Sequence, residues 1–97
     1  MLILTSLASA PRHGHALAAD IEEFAGVRLG PGSLYGAITR LEERGLIEPL
    51  PAEDRRRPYR ITPAGRAELA TAVEDMDRVV TAASQRLGRT LPGLGLA

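Results

Sequence analysis

The sequence predicts a mainly α-helical fold with a small β-hairpin, a winged helix-turn-helix followed by one C-terminal dimerisation helix. Three observations predict it. Residues 30–47 read as a Gly/Pro-punctuated helix start, a short amphipathic helix, a glycine stop and an apolar strand. Shortly after them comes Arg55-Arg56-Arg57-Pro58-Tyr59-Arg60, an arginine-rich hairpin arm. From Leu69 onward, apolar residues then recur at alternating spacings of four and three.

The elements follow in order. Leu4, Leu7 and Ala8 share a helical face in a first short helix that Pro11 ends. Gly14 opens a second helix to about Ala25, with Leu17, Ile21 and Phe24 on one face and Gly26 as its stop. Pro31 suits the first turn of a third helix, because the N–H it lacks would have had no intrahelical partner. Leu34, Ala37, Ile38 and Leu41 form that helix's apolar stripe, and Gly45 closes it. A strand from Leu46 to about Leu50 pairs with Pro58–Thr62. Pro49 and Pro58 suit edge positions, and the charged loop from Pro51 to Arg57 projects as a wing. Thr62 caps a last helix whose seam is Leu69, Val73, Met76, Val80, Ala83 and Leu87. These boundaries divide the chain into a winged helix-turn-helix at 1–62, a dimerisation helix at 63–88 and a flexible tail at 89–97, where glycine and proline gather.

Composition narrows the function. A chain of 97 residues makes one domain. At this length only about 60–65% of the unfolded surface is buried on folding, and dimerisation is a common remedy. The chain has no cysteine, hence no disulfide, thiolate nucleophile or thiolate metal site. Its formal net charge is zero, which counts against indiscriminate nucleic-acid affinity, but the charge is unevenly spread. All 12 basic residues are arginine, and Arg55, Arg56, Arg57 and Arg60 lie within one hairpin arm. The apolar N-terminus lacks a basic n-region and is shorter than a signal peptide's usual 15–30 residues. No run approaches the ~20 apolar residues of a membrane span. A cytoplasmic location is expected.

On a helical wheel, the third helix places Gly32, Ser33, Gly36, Thr39 and Arg40 opposite its apolar stripe, with Tyr35 on the flank. Small residues allow close approach to DNA. Ser33 and Thr39 offer hydroxyls, and Arg40 can reach a phosphate or a guanine edge. The wing arginines can each neutralise a phosphate or enter a minor groove. A solvated helix face and a solvated hairpin tip would each be unremarkable alone, but the two at this separation point to DNA binding. The candidate DNA-binding set is therefore Gly32, Ser33, Tyr35, Gly36, Thr39, Arg40, Arg55, Arg56, Arg57 and Arg60.

Residues 11–62 resemble the PadR-type transcriptional regulators. Pro11-Arg12-His13-Gly14-His15-Ala16-Leu17 is similar to that family's Pro-x-His-Gly-Tyr-x-Leu opening of helix two. Gly30-Pro31-Gly32-Ser33-Leu34-Tyr35 is similar to its Ser-Pro-Gly-Thr-Leu-Tyr start of the recognition helix. Arg40 to Ile47 and Arg57 to Gly65 resemble its continuation and its wing strand. The resemblance implies a homodimeric repressor on a pseudo-palindromic double-stranded DNA operator, with Ser33 and Tyr35 on the DNA backbone. It also implies relief by a small aromatic or phenolic effector. Three departures stand out: Gly30 for serine, Gly36 where proline is frequent, and His15 for the aromatic.

Other chemistry finds no support. His13 and His15, two apart, would point in different directions on a helix, so neither a metal nor another cofactor is expected. No nucleophile elbow or P-loop is present, and no enzyme is predicted. The alternative reading is a winged-helix protein-interaction module without DNA binding, motivated by the zero net charge. It leaves the arginine cluster without a purpose. A third reading makes the chain chiefly a small-molecule sensor.

Overall fold

The computed structural model describes residues 1–89, so the tail expected at 89–97 lies, apart from Arg89, outside the described residues. The elements run α1 (Leu2–Ser9), β1 (Arg12–His13), α2 (Gly14–Ala25), α3 (Pro31–Glu43), β2 (Ile47–Pro49), β3 (Pro58–Ile61) and α4 (Pro63–Arg86). The core is a single cluster in which Leu7, Leu17, Ile21, Ile38 and Ile47 are the largest fully buried side chains. Burying an aliphatic side chain of this size contributes about 1.5–3 kcal/mol.

The expected face of α1 needs correction. Ile3 and Ser6 are buried beside Leu4 and Leu7, and Ala8 is only half-buried. The reason is that α1 packs on α2, β3 and α4 together, which covers more than one stripe. Ser6 is satisfied in the core, because its hydroxyl donates to Asp20 Oδ2 at 2.6 Å. Arg12 Nη1 donates to the Ser6 carbonyl at 2.7 Å, and its guanidinium lies 3.8 Å from Asp20. These contacts tie α1, β1 and α2 into one corner.

The hairpin is part of a three-stranded antiparallel sheet in the order β1-β3-β2. The additional strand pairs Arg12 with Tyr59 and His13 with Pro58. Pro58 is therefore not on an edge strand as expected; it is the first residue of the central one. A proline is tolerated there because the ladder has only begun. Pro49 does lie on the edge strand β2.

The junction into α4 is tightly built. The Thr62 hydroxyl accepts from Gly65 N–H at 3.1 Å as the N-cap and donates to the Gly45 carbonyl at 2.7 Å. Gly65 lies so close to the backbone just before β2 that an added Cβ would sit 2.1 Å from the Leu46 carbonyl oxygen. Leu69 packs against the core, and Arg66 donates to the Ala8 carbonyl at 3.2 Å. Beyond this docked start, α4 carries Val73, Met76, Val79 and Val80 exposed, Val79 at 68%. Val79 was not in the expected seam. Its exposure beside Val80 widens the seam into a broader apolar face.

Candidate nucleic-acid interface

Helix α3 is anchored by Leu34 and Ile38, so its opposite face is presented outward. Gly32, Ser33, Tyr35, Thr39 and Arg40 are exposed, and Gly36 is half-buried. Arg40 lies back along the helix, with Nη1 3.4 Å from where a Gly36 Cβ would stand. Thr39 Oγ1 donates to the Tyr35 carbonyl at 2.9 Å, which leaves its oxygen lone pairs as acceptors. Ser33 and Arg40 line a groove of about 360 Å³ on the α1 side of the helix, with Leu2, Leu29, Leu41 and Arg44. Tyr35 faces the other way, toward the wing. The candidate residues thus span the whole outward face of α3, from Tyr35 at one margin to Ser33 at the other.

Tyr35 is 52% exposed, yet its ring has a defined seat. A Cβ on Gly14 would meet its hydroxyl at 2.5 Å and its ring carbon Cζ at 2.8 Å. The glycine that opens α2 is what lets Tyr35 lie over that helix's first turn.

The wing narrows to a tight turn. Glu53 and Arg56 exchange backbone hydrogen bonds at 2.7 and 2.8 Å around Asp54 and Arg55. Both central residues have positive φ, 48° and 67°, as a type I′ turn requires. Asparagine and glycine usually fill such a turn. Here it holds an aspartate and an arginine, which places Arg55 at the wing's extreme tip. Arg57 Nη1 donates to the Leu50 carbonyl at 3.0 Å and straps the two arms together. Arg60 is set apart from these three. It pairs with Glu48, its register partner across the hairpin, and does not line the cleft that Arg55, Arg56 and Arg57 share.

That cleft, about 360 Å³, opens between the wing and the β1–α2 junction, with Tyr35, His13 and His15 on its other walls. The two histidines had been expected to diverge. His13 instead precedes α2 as its N-cap, with Nδ1 accepting from Ala16 N–H at 3.3 Å. Outside the helix, its ring stacks on that of His15, with centroids 6.3 Å apart and planes at 14°. Neither histidine was singled out from the sequence as part of the interface. Strand β1 is only two residues long and leaves no periodic signal. Among the described residues no three His, Cys, Asp or Glu side chains gather as metal ligands, and no helix is long and apolar enough to cross a membrane.

The transcriptional regulator PadR-like family model matches residues 3–71, 69 of the chain's 97 residues. The chain belongs to the PadR family. The match extends from α1 through the docked start of α4, and so covers both α3 and the wing. A transcriptional regulator of Mycobacterium tuberculosis, Rv3488, is 42% identical over 74 residues, covering 70% of this chain and 68% of its own. An uncharacterised 37.1 kDa protein in a Streptomyces fradiae transposon, TN4556, is 51% identical over 79 residues and 81% of this chain. This chain spans only 23% of that protein's length. A PadR family transcription regulator from Clostridium difficile superposes with a TM-score of 0.80 over 89% of this chain and 94% of its own, at 23% identity, and shares its fold. The chain is thus a PadR-like transcriptional regulator, and its fold is that of winged-helix proteins.

Proposed function

We propose that this PadR-family regulator represses transcription in the cytoplasm by binding a pseudo-palindromic operator as a homodimer. The observation that carries the reading is the shared orientation of α3 and the wing. Tyr35, at one margin of the outward face of α3, lines the same cleft as Arg55, Arg56 and Arg57. Helix α3 enters the major groove, and the wing tip follows the adjacent backbone or minor groove. Arg40 is the residue of this face best suited to a base edge. Arg60, paired with Glu48, contributes less than its three neighbours. The interaction-module alternative leaves a turn that holds an arginine at positive φ without a purpose.

The homodimer reading rests on α4. Leu69, Val73, Met76, Val80 and Ala83, joined by Val79 and by Leu87 at the C-cap, give a 24-residue helix an apolar face that is mostly exposed among the described residues. A second copy of the same face covers it with two-fold symmetry. Relief by a small aromatic or phenolic effector finds a suitable place in the groove beside Ser33 and Arg40. There an apolar floor from Leu2, Leu29 and Leu41 meets the guanidiniums of Arg40 and Arg44. A flat anion held there would compete with DNA for Arg40. Thermal-shift screening with phenolic acids tests this, and no stabilisation by any of them removes it.

Fluorescence anisotropy on duplex DNA from immediately upstream of the protein's own gene, beside a scrambled duplex and across a salt titration, tests the central claim. Binding to the native duplex at least about a thousandfold tighter than to the scrambled one is the expected result. Equal, weak binding to both rejects autoregulation at that site and favours a protein partner.

A further inference from the structure

We propose that the cleft between the β1–α2 junction and the wing is a proton-linked phosphate site. His13 and Arg56 together hold one oxygen of a DNA backbone phosphate, and His15 takes up a proton as that phosphate arrives. The proposal rests on the DNA-binding reading above and adds to it two binding residues and a pH dependence.

The argument starts from the His13 ring. Its Nδ1 accepts the Ala16 N–H at 3.3 Å. A neutral imidazole has one acceptor and one donor nitrogen, so Nε2 carries the proton. That nitrogen stands 3.5 Å from Arg56 Nη1, which can only donate. Two donors face each other with no acceptor between them. An anionic oxygen placed between them satisfies both with charge-assisted hydrogen bonds. The Nδ1 cap also fixes the ring, so the donor's direction is set before any ligand arrives.

His15 supplies the proton linkage. It is exposed, stacked on His13 and lines the same cleft. Each element around the pair contributes charged or titratable groups. The wing brings Arg55, Arg56 and Arg57 to the cleft, α3 brings Tyr35, and β3 brings Tyr59. Glu53 and Asp54 meet His13 from an adjoining cleft that His15 does not line. Arg12, on the same strand as His13, is engaged with Asp20. Besides His13, the titratable and charged groups that share the cleft with His15 are arginines and tyrosines, with no carboxylate among them. Imidazole is the side chain whose charge changes near neutral pH. A phosphate bound among these groups favours the protonated ring, so binding draws in a proton and strengthens as pH falls.

The chain has two histidines in all, so the imidazole NMR spectrum of untagged full-length protein reports on this site alone. Inorganic phosphate is titrated against those resonances, and a duplex of scrambled sequence is bound at low salt between pH 8 and pH 6. Both imidazoles should respond to phosphate, and the duplex should bind about tenfold tighter at the lower pH. His15→Gln should keep the affinity seen at pH 8 and lose the gain. His13→Asn, which preserves an N-cap, should weaken binding severalfold at every pH while keeping the gain. A His15→Gln variant with the full pH gain overturns the linkage. Imidazoles that ignore phosphate while the duplex still binds overturn the phosphate site and leave the DNA reading standing. Imidazoles that respond to phosphate in a protein that binds no duplex at any pH overturn DNA as the phosphate's source.

Discussion

At the scale of single residues, glycines separate folding from function. Gly65 is fixed by the Leu46 backbone, which cannot swing aside as a side chain could. Gly65→Ala should therefore destabilise the fold by about 3 kcal/mol, read by urea unfolding. Gly32 is different, because nothing lies within 4 Å of an added Cβ and the position is helical. Gly32→Ala should stabilise the free protein by about 0.5–1 kcal/mol. If α3 enters the major groove, the same methyl should weaken operator binding. A variant that gains stability with unchanged affinity would remove Gly32 from the interface. Gly14 belongs to both groups: it lies within the fold, but what it admits is Tyr35, a member of the candidate interface.

At the scale of elements, the wing and α4 each carry a local feature that their own stability does not explain. The wing turn holds Asp54 and Arg55 at positive φ. Replacing the pair by Asn-Gly should stabilise the hairpin by about 1 kcal/mol, since those residues adopt that conformation readily. The same replacement should lower DNA affinity through the lost guanidinium. Equal or tighter binding would show that Arg55 is not a contact. Helix α4 exposes Met76 and Val80 at 53% and 45%. Val80→Asp should yield a monomer by sedimentation, with a Tm that no longer rises with protein concentration. An unchanged oligomer would move the interface elsewhere.

At the scale of the whole molecule, the proposed DNA binding by a chain of zero net charge rests on the placement of its charge. Arg28, Arg44, Arg60 and Arg78 are engaged with carboxylates, whereas Arg55 and Arg56 have no acidic partner among the described ion pairs. Each of these two that meets a phosphate contributes about one to the slope of log affinity against log salt. Arg56→Ala should thus flatten the slope by about one and weaken all sequences alike. Arg40→Ala should change the ranking of operators. Uniform weakening by Arg40→Ala would reassign that residue to the backbone.

The sequence by itself determined the order of helices, the hairpin and the long last helix, because each is written in short-range terms. Apolar spacing sets the buried faces of α2 and α3, except that Phe24, expected on the α2 face with Leu17 and Ile21, is 47% exposed; proline marks helix starts, and glycine marks helix ends. The arginine cluster and the outward residues of α3 were legible for the same reason, since a helix's outer face follows once its inner face is known. Only the tertiary structure decided what is brought together from a distance. A two-residue strand has no period to read, so the pairing of Arg12 and His13 with β3 emerged only from the fold. That pairing moves Pro58 to the central strand, turns His13 into a cap and brings its ring within 3.5 Å of Arg56, 43 residues away. The fit of Tyr35 over Gly14 and of Gly65 against Leu46 is likewise a matter of packing between elements, where contact distance rather than sequence spacing selects the residue.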